Sequence, residues 1–185
     1  MRQVQSVEQR KKEFEEVALE HMDSLYNAAL RMTRNESEAQ DLVQDAYLRS
    51  YRFFDKFEKG TNFKAWLFRI LKNIYINKYR KESKRPQTVD VSDVEASGDL
   101  MSTATPEDEI FDKLLDDDIT SAMDALPEEF RLTIILSDLE GFSYKETAEI
   151  LDCPIGTVMS RLYRGRRLLR NSLYEYAKKR GYVKD

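Results

Sequence analysis

Cysteine, histidine and tryptophan each occur once in these 185 residues, glycine six times and proline four times. A lone cysteine, Cys153, excludes an intrachain disulfide and a cysteine metal cluster. The lone histidine, His21, has no second ligand or nucleophile nearby, and no glycine-rich phosphate loop is present. The chain is therefore expected to be no enzyme and to hold no metal or cofactor. No apolar run is long enough for a bilayer, and the start, MRQVQSVEQRKKEFEE, lacks the apolar core of a signal peptide. No membrane insertion and a reducing cytoplasm are the matching expectations. Alternating apolar runs are missing and turn-forming residues are few, which predicts an all-α fold. No repeat of 20–50 residues recurs.

What the chain has in quantity is charge, 35% of its residues. The formal net charge of −4 argues against a nucleic-acid ligand until its distribution is considered. Residues 87–118 hold eleven acids and one base, Lys113; residues 52–85 hold eleven bases and three acids; residues 153–185 hold nine bases and two acids. Two basic blocks separated by an acidic one predict two contacts with a polyanion. The length suits one ordinary domain or two small ones.

The strongest local signal is residues 140–169, EGFSYKETAEILDCPIGTVMSRLYRGRRLL. Ser143 and Glu146 have capping-box spacing, Asp152-Cys153-Pro154 breaks the helix, and Pro154 pre-sets a second one. In that second helix Ile155, Val158, Leu162, Gly165 and Leu169 form a narrow apolar seam. Farthest from it lie Ser160, Arg164, Arg167 and Asn171, flanked by Thr157 and Tyr163. Such a face suits a DNA major groove. A solvated basic helix is the plainer reading, but the capping box, the short turn and the arginine face together favour a helix-turn-helix.

Taken in order, residues 1–12 are polar and predicted to fray. Helical spacing predicts a first helix over 14–33 and a second over 36–57, started by Asn35 with Glu38 and burying Ala39, Leu42, Val43, Ala46, Ser50, Phe53, Phe54 and Phe57. The far side of the second carries Leu48 among polar residues, which reads equally as a stray surface leucine or a docking patch. Residues 58–62 break the pattern, and Thr61 or Asn62 can cap a helix from Phe63 to about residue 84. One side of that helix carries Phe63, Leu67, Ile70, Leu71 and Ile74; the other carries Arg69, Lys72, Ile76, Tyr79 and Arg80, with Phe68 and Tyr75 alongside. Cations between aromatic rings suit single-stranded DNA. An aromatic-rich core helix with snorkelling charged stems fits as well. Residues 86–105 are Ser-, Thr- and Asp-rich and predict a flexible acidic linker. The expected division is 1–12, a helical domain over 13–85, the linker over 86–105 and a second helical domain over 106–185.

Three motifs in this order, NESEAQDLVQDAYLRSYRFFDKF, FKAWLFRILKNIYINKYRK and the stretch from ALPEEF to GRRLL, resemble the bacterial extracytoplasmic-function sigma factors of the sigma-70 family. The resemblance implies a region 2 bundle and a region 4 helix-turn-helix, acting as a specificity subunit of RNA polymerase. It implies docking of Asp41, Gln44, Asp45, Leu48, Arg49 and Arg52 on the coiled coil of the β′ subunit. It implies opening of the −10 promoter element by Lys59, Gly60, Thr61, Asn62 and Phe63, with Lys72, Asn73, Asn77, Lys78 and Arg80 near that DNA. The −35 element would meet Thr157, Ser160, Arg161, Tyr163, Arg164 and Arg167, with Ser143, Tyr144 and Lys145 at a phosphate and the β flap beneath. Core polymerase, promoter DNA and an anti-sigma factor are the implied partners, and the free protein is expected to be a monomer.

A stand-alone helix-turn-helix regulator is the competing reading. It accounts for residues 126–180 but not for the basic, aromatic helix or the acidic linker. Binding to promoter duplex without polymerase separates the two, because a repressor binds alone and a sigma factor needs core enzyme.

Overall fold

A computed structural model of the chain describes residues 2–83, 118–179 and 181. The expected linker and the start of the second domain lie outside them. Within the described residues every regular element is helical.

The N-terminal module is α1 (Arg2–Ala18), α2 (Met22–Thr33), α3 (Glu36–Arg52) and α4 (Phe63–Ser83). Two sequence expectations change here. Residues 2–12 do not fray but form most of α1. Arg10 fastens them: its Nη2 donates to the Tyr51 carbonyl at 2.8 Å and pairs with Asp55 at 3.0 Å, while the guanidinium stacks on the Tyr51 ring. The helix expected over 14–33 is split by a 3-10 turn, Leu19–His21. The Tyr47 hydroxyl donates to the Ala18 carbonyl there, giving a carbonyl at the break a partner outside the ladder.

Asn35 caps α3 as expected, accepting from the Glu38 N–H at 3.0 Å. The helix stops at Arg52 rather than Phe57, and a 3-10 turn, Phe54–Lys56, follows. Arg10 takes the carbonyls of Tyr51 and Arg52, groups that a continuing helix would have used. Of the predicted seam Ala39, Leu42, Ala46, Ser50 and Phe54 are buried, while Val43 is half-buried, as are Phe53 and Phe57, which lie beyond the end of the helix.

In the C-terminal module residues 118–124 are helical (α5). Then come α6 (Glu128–Ile134), α7 (Tyr144–Leu151), α8 (Ile155–Ser172) and α9 (Tyr174–Lys179). A π-helical turn, Ile135–Leu139, prolongs α6. The tail helix expected to continue α8 is interrupted at Leu173.

The modules share one apolar cluster, from Phe14, Leu25 and Leu67 on one side to Ile135, Ile150 and Leu162 on the other. Phe68 and Phe142 join them edge to face, ring centroids 5.1 Å apart. Around this pair the seam is polar. Lys64 Nζ meets the Glu140 carboxylate at 3.1 Å and its carbonyl at 2.9 Å, and Ser24 donates to the same carboxylate. Arg34, in a left-handed conformation with φ 61° at the end of α2, pairs with Asp124 at 2.9 Å. A cavity of about 390 Å³ interrupts the seam between Met32, Arg34, Tyr75 and Lys78 on one side and Leu126, Glu128 and Arg131 on the other. Beside it the buried Arg131 Nε and Glu128 Oε1 have no hydrogen-bond partner.

Candidate functional site

The reading helix is placed by a local device that works as the spacing predicts. Ser143 Oγ accepts from the Glu146 N–H at 3.2 Å, and the Glu146 carboxylate accepts from the Ser143 N–H at 2.9 Å. That completes the capping box of α7. Asp152 ends α7 with φ 56°, and Pro154 leads into α8. Val158 and Leu162 are fully buried, and Gly165 presses against α6, where an added Cβ would lie 2.8 Å from Ile134 Cδ1. Ile155, expected in this seam, is instead exposed at the first turn, ahead of the α6 contact.

This packing sorts the arginines of α8 in a way that periodicity did not. Arg161 pairs with Glu129 of α6 at 2.9 Å. Arg166 grips Asp138 with two bonds, of 2.9 and 2.6 Å. That hydrogen-bonded carboxylate holds the Arg166 guanidinium above its ordinary pKa. Both side chains fix the helix to its own module, so Arg161 is not presented as an expected DNA contact. Ser160, Tyr163, Arg164 and Arg167 remain on the outer face, with Tyr163 70% exposed. Thr157 is half-buried at its edge. The phosphate seat expected at Ser143, Tyr144 and Lys145 is altered as well. Glu146 already occupies the first turn with its carboxylate, while Tyr144 and Lys145 stay exposed.

On α3 the expected docking residues behave alike. Asp41, Gln44, Asp45, Leu48, Arg49 and Arg52 are all exposed, and Leu48 is 62% exposed. Asp45, Leu48, Arg49 and Arg52 line one shallow depression with Phe53 and Ile74. An apolar side chain within a charged ring is the pattern of a recognition patch.

The loop before α4 is shaped by Gly60, at φ 94°, and by Asn62, whose Oδ1 accepts from the Ala65 N–H at 3.0 Å and caps α4. Lys59 is tied to Glu13 of α1 at 2.9 Å. Thr61, Asn73, Asn77 and Lys78 are exposed; Arg80 lies on α4, its side chain outside the described residues. Two expected contacts are buried. Phe63, 8% exposed, sits among the rings of Phe14, Phe54, Phe57, Trp66 and His21. Lys72 is also 8% exposed, and Phe68 and Tyr75 on the same basic, aromatic side are buried. Phe68 is covered by Phe142 of the C-terminal module. His21, burial pushing its pKa below the ordinary value, serves the same aromatic cluster. Sequence reasoning missed Glu140, Phe142, Arg34 and Asp124, because nothing local marks a residue that packs only against a distant module.

An open arginine face on the second helix of a helix-turn-helix defines a DNA-binding protein, and α3 carries a separate exposed patch with Leu48 among charged residues. No group of three or more metal-ligating side chains is found among the described residues, nor a helix long and apolar enough to cross a membrane. Residues 17–85 match the family model for sigma-70 region 2, and residues 116–169 that for sigma-70, region 4. The ECF RNA polymerase sigma-E factor of Escherichia coli K12 is 36% identical over 141 residues, 74% of each chain. The ECF RNA polymerase sigma factor SigE of Mycolicibacterium smegmatis is 33% identical over 169 residues, 89% of this chain and 63% of that one. Among solved structures, sigma factor RpoE in complex with the anti-sigma factor NepR from Bartonella quintana aligns with a TM-score of 0.70 and 31% identity. That alignment spans 88% of this chain and 98% of the other. CnrH, solved with the cytosolic domain of CnrY, has the same fold at a TM-score of 0.65 and 24% identity. The chain belongs to the extracytoplasmic-function sigma factors of the sigma-70 family, initiation factors rather than enzymes.

Proposed function

We propose that this chain joins core RNA polymerase through the α3 face and directs it to promoters whose −35 element is read by α8. One observation carries the reading: a single chain matching both sigma regions keeps its α3 patch and the outer face of α8 exposed. Asp41, Gln44, Asp45, Leu48, Arg49 and Arg52 dock on the β′ coiled coil. Arg164, Arg167, Ser160 and Tyr163 meet the −35 bases and neighbouring phosphates, Arg164 first, since a guanidinium bonds guanine bidentately. Residues 59–63 and the basic side of α4 open and hold the −10 strand; trapping a base already unstacked costs less than reading a closed duplex. The expected domains, 13–85 and 106–185, divide these tasks, with the β flap beneath the second.

The likeness to a sigma factor solved with an anti-sigma factor supports an anti-sigma partner here. The cytoplasm, where core polymerase works, is the matching location. The test is transcription from a genomic promoter library by core enzyme with and without the protein. New start sites sharing one −35 sequence are expected. Their absence, together with tight binding of promoter duplex by the protein alone, would favour a stand-alone regulator instead.

A further inference from the structure

The outer face of α8 is not chemically uniform. Ile155, Met159 and Tyr163 follow one another one turn apart and are 45%, 53% and 70% exposed. They form a second apolar stripe, beside the buried seam of Val158, Leu162 and Gly165. On the stripe's other side Ser160, Arg164 and Arg167 form a polar lane. Ser160 donates its hydroxyl proton to the Thr157 carbonyl at 3.0 Å, so toward solvent it offers lone pairs alone. The lane thus holds an acceptor and two guanidinium groups, whereas Ile155 and Met159 in the stripe have no hydrogen bond to donate. Met159 and Tyr163 border, with Tyr144 of α7, a shallow depression whose charged lining among the described residues is arginine alone, Arg166, Arg167 and Arg170. An apolar centre rimmed by cations fits a partner that is apolar at one point and anionic around it. In the DNA major groove the apolar feature of a base edge is the C5 methyl of thymine, and the phosphate backbones run on either side.

We propose that Met159 is a specificity-determining residue, its thioether side chain packing on the methyl group of one thymine in the −35 element while the polar lane reads the neighbouring bases. It rests on the reading of α8 as the −35 helix. Within the stripe, Met159 is the residue best suited to the task. It stands in the N-terminal half of α8, the part of such a helix that meets base edges. Ile155 borders a different depression, where Glu149 and Asp152 outnumber Lys145 and disfavour a phosphate. Tyr163 carries a hydroxyl that can turn to a phosphate instead. An unbranched, polarizable side chain also follows the shape of a methyl group without strain. Such a contact tells a T·A pair from the others by the methyl alone. Burial of one methyl group corresponds to about fourfold in affinity.

The test uses holoenzyme assembled from core RNA polymerase and the full chain, with a fluorescein-labelled promoter recovered from the library assay. Thymines of its −35 element, on either strand, are replaced singly by deoxyuridine, which removes the methyl and keeps every hydrogen-bonding group. Wild type is expected to bind one of the uridine promoters about fourfold more weakly than the parent. M159A should bind the parent and that uridine promoter equally, with its melting temperature unchanged because the side chain is half-exposed. Loss of a methyl also changes the stiffness of the duplex, an effect that would persist in M159A. Uridine promoters that all bind wild type like the parent overturn the proposal, as does a uridine effect of equal size in M159A. A −35 element that can be scrambled without loss of binding overturns the reading of α8 itself, and the role of Met159 with it.

Discussion

Replacing Gly165 by alanine tests the packing that aims the reading helix. Glycine within a helix costs about 1 kcal/mol relative to alanine, so propensity alone favours the change. Against it stand two contacts: the new Cβ would lie 2.8 Å from Ile134 Cδ1 and 3.2 Å from Phe130 Cβ. The first is the end of a side chain, but Ile134 is 2% exposed and has little room to turn. The second belongs to a stiff part of α6. Overpacking of this kind costs about 1–3 kcal/mol. The expected net effect is a loss of about 1 kcal/mol, a fall in melting temperature of about 2–4 °C for a chain of this size. I134V deletes the offending Cδ1 and alone costs about 0.5–1.5 kcal/mol. Combined with G165A it should cost less than the sum by at least about 0.5 kcal/mol, since each change relieves the other. Equilibrium denaturation of the four proteins measures the cycle. A stabilised G165A, or strict additivity in the cycle, refutes the claim that a close helix contact sets the position of α8.

The exposed and tethered arginines should separate. R164A is expected to lose about 1–3 kcal/mol of discrimination at one −35 base pair with stability intact, whereas R161A, having lost Glu129, should show its effect in thermal melting. L48A should change stability by less than about 0.5 kcal/mol, as an exposed site, yet weaken binding to core polymerase in a fluorescence titration. Acid should act through Glu146. Its folded pKa is depressed, so its contribution to stability is present above the ordinary glutamate range and is lost as the pH falls through that range and below. Wild type should therefore lose stability more steeply than E146Q on descent from neutral pH through that interval, measured by denaturant midpoint.

Where the sequence carried its own physics, it was enough. The Ser143–Glu146 capping box, the Asn35 cap, the Pro154 start of α8, the α3 seam as far as Ser50 and the α8 seam from Val158 onward all follow from residues within a few positions of one another. So does the exposure of Leu48, because helical period alone puts it opposite a buried stripe. The family was legible for the same reason: its motifs are local strings. Periodicity could not tell Arg161 and Arg166 from Arg164 and Arg167, since the difference is whether Glu129 or Asp138 on another element lies within reach. Nor could it tell that the N-terminal residues hold as helix, which depends on Arg10 meeting carbonyls at the end of α3.

The basic, aromatic side of α4 marks the division most clearly. Its composition alone determined that it suits a polyanion with rings. Tertiary structure decided that Phe68 and Lys72 are buried, and that the carboxylates of Glu140 and Glu146 take Lys64 and Asn62. The reason is physical: cations, amides and rings pair with carboxylates and rings of their own chain when the fold brings them close enough.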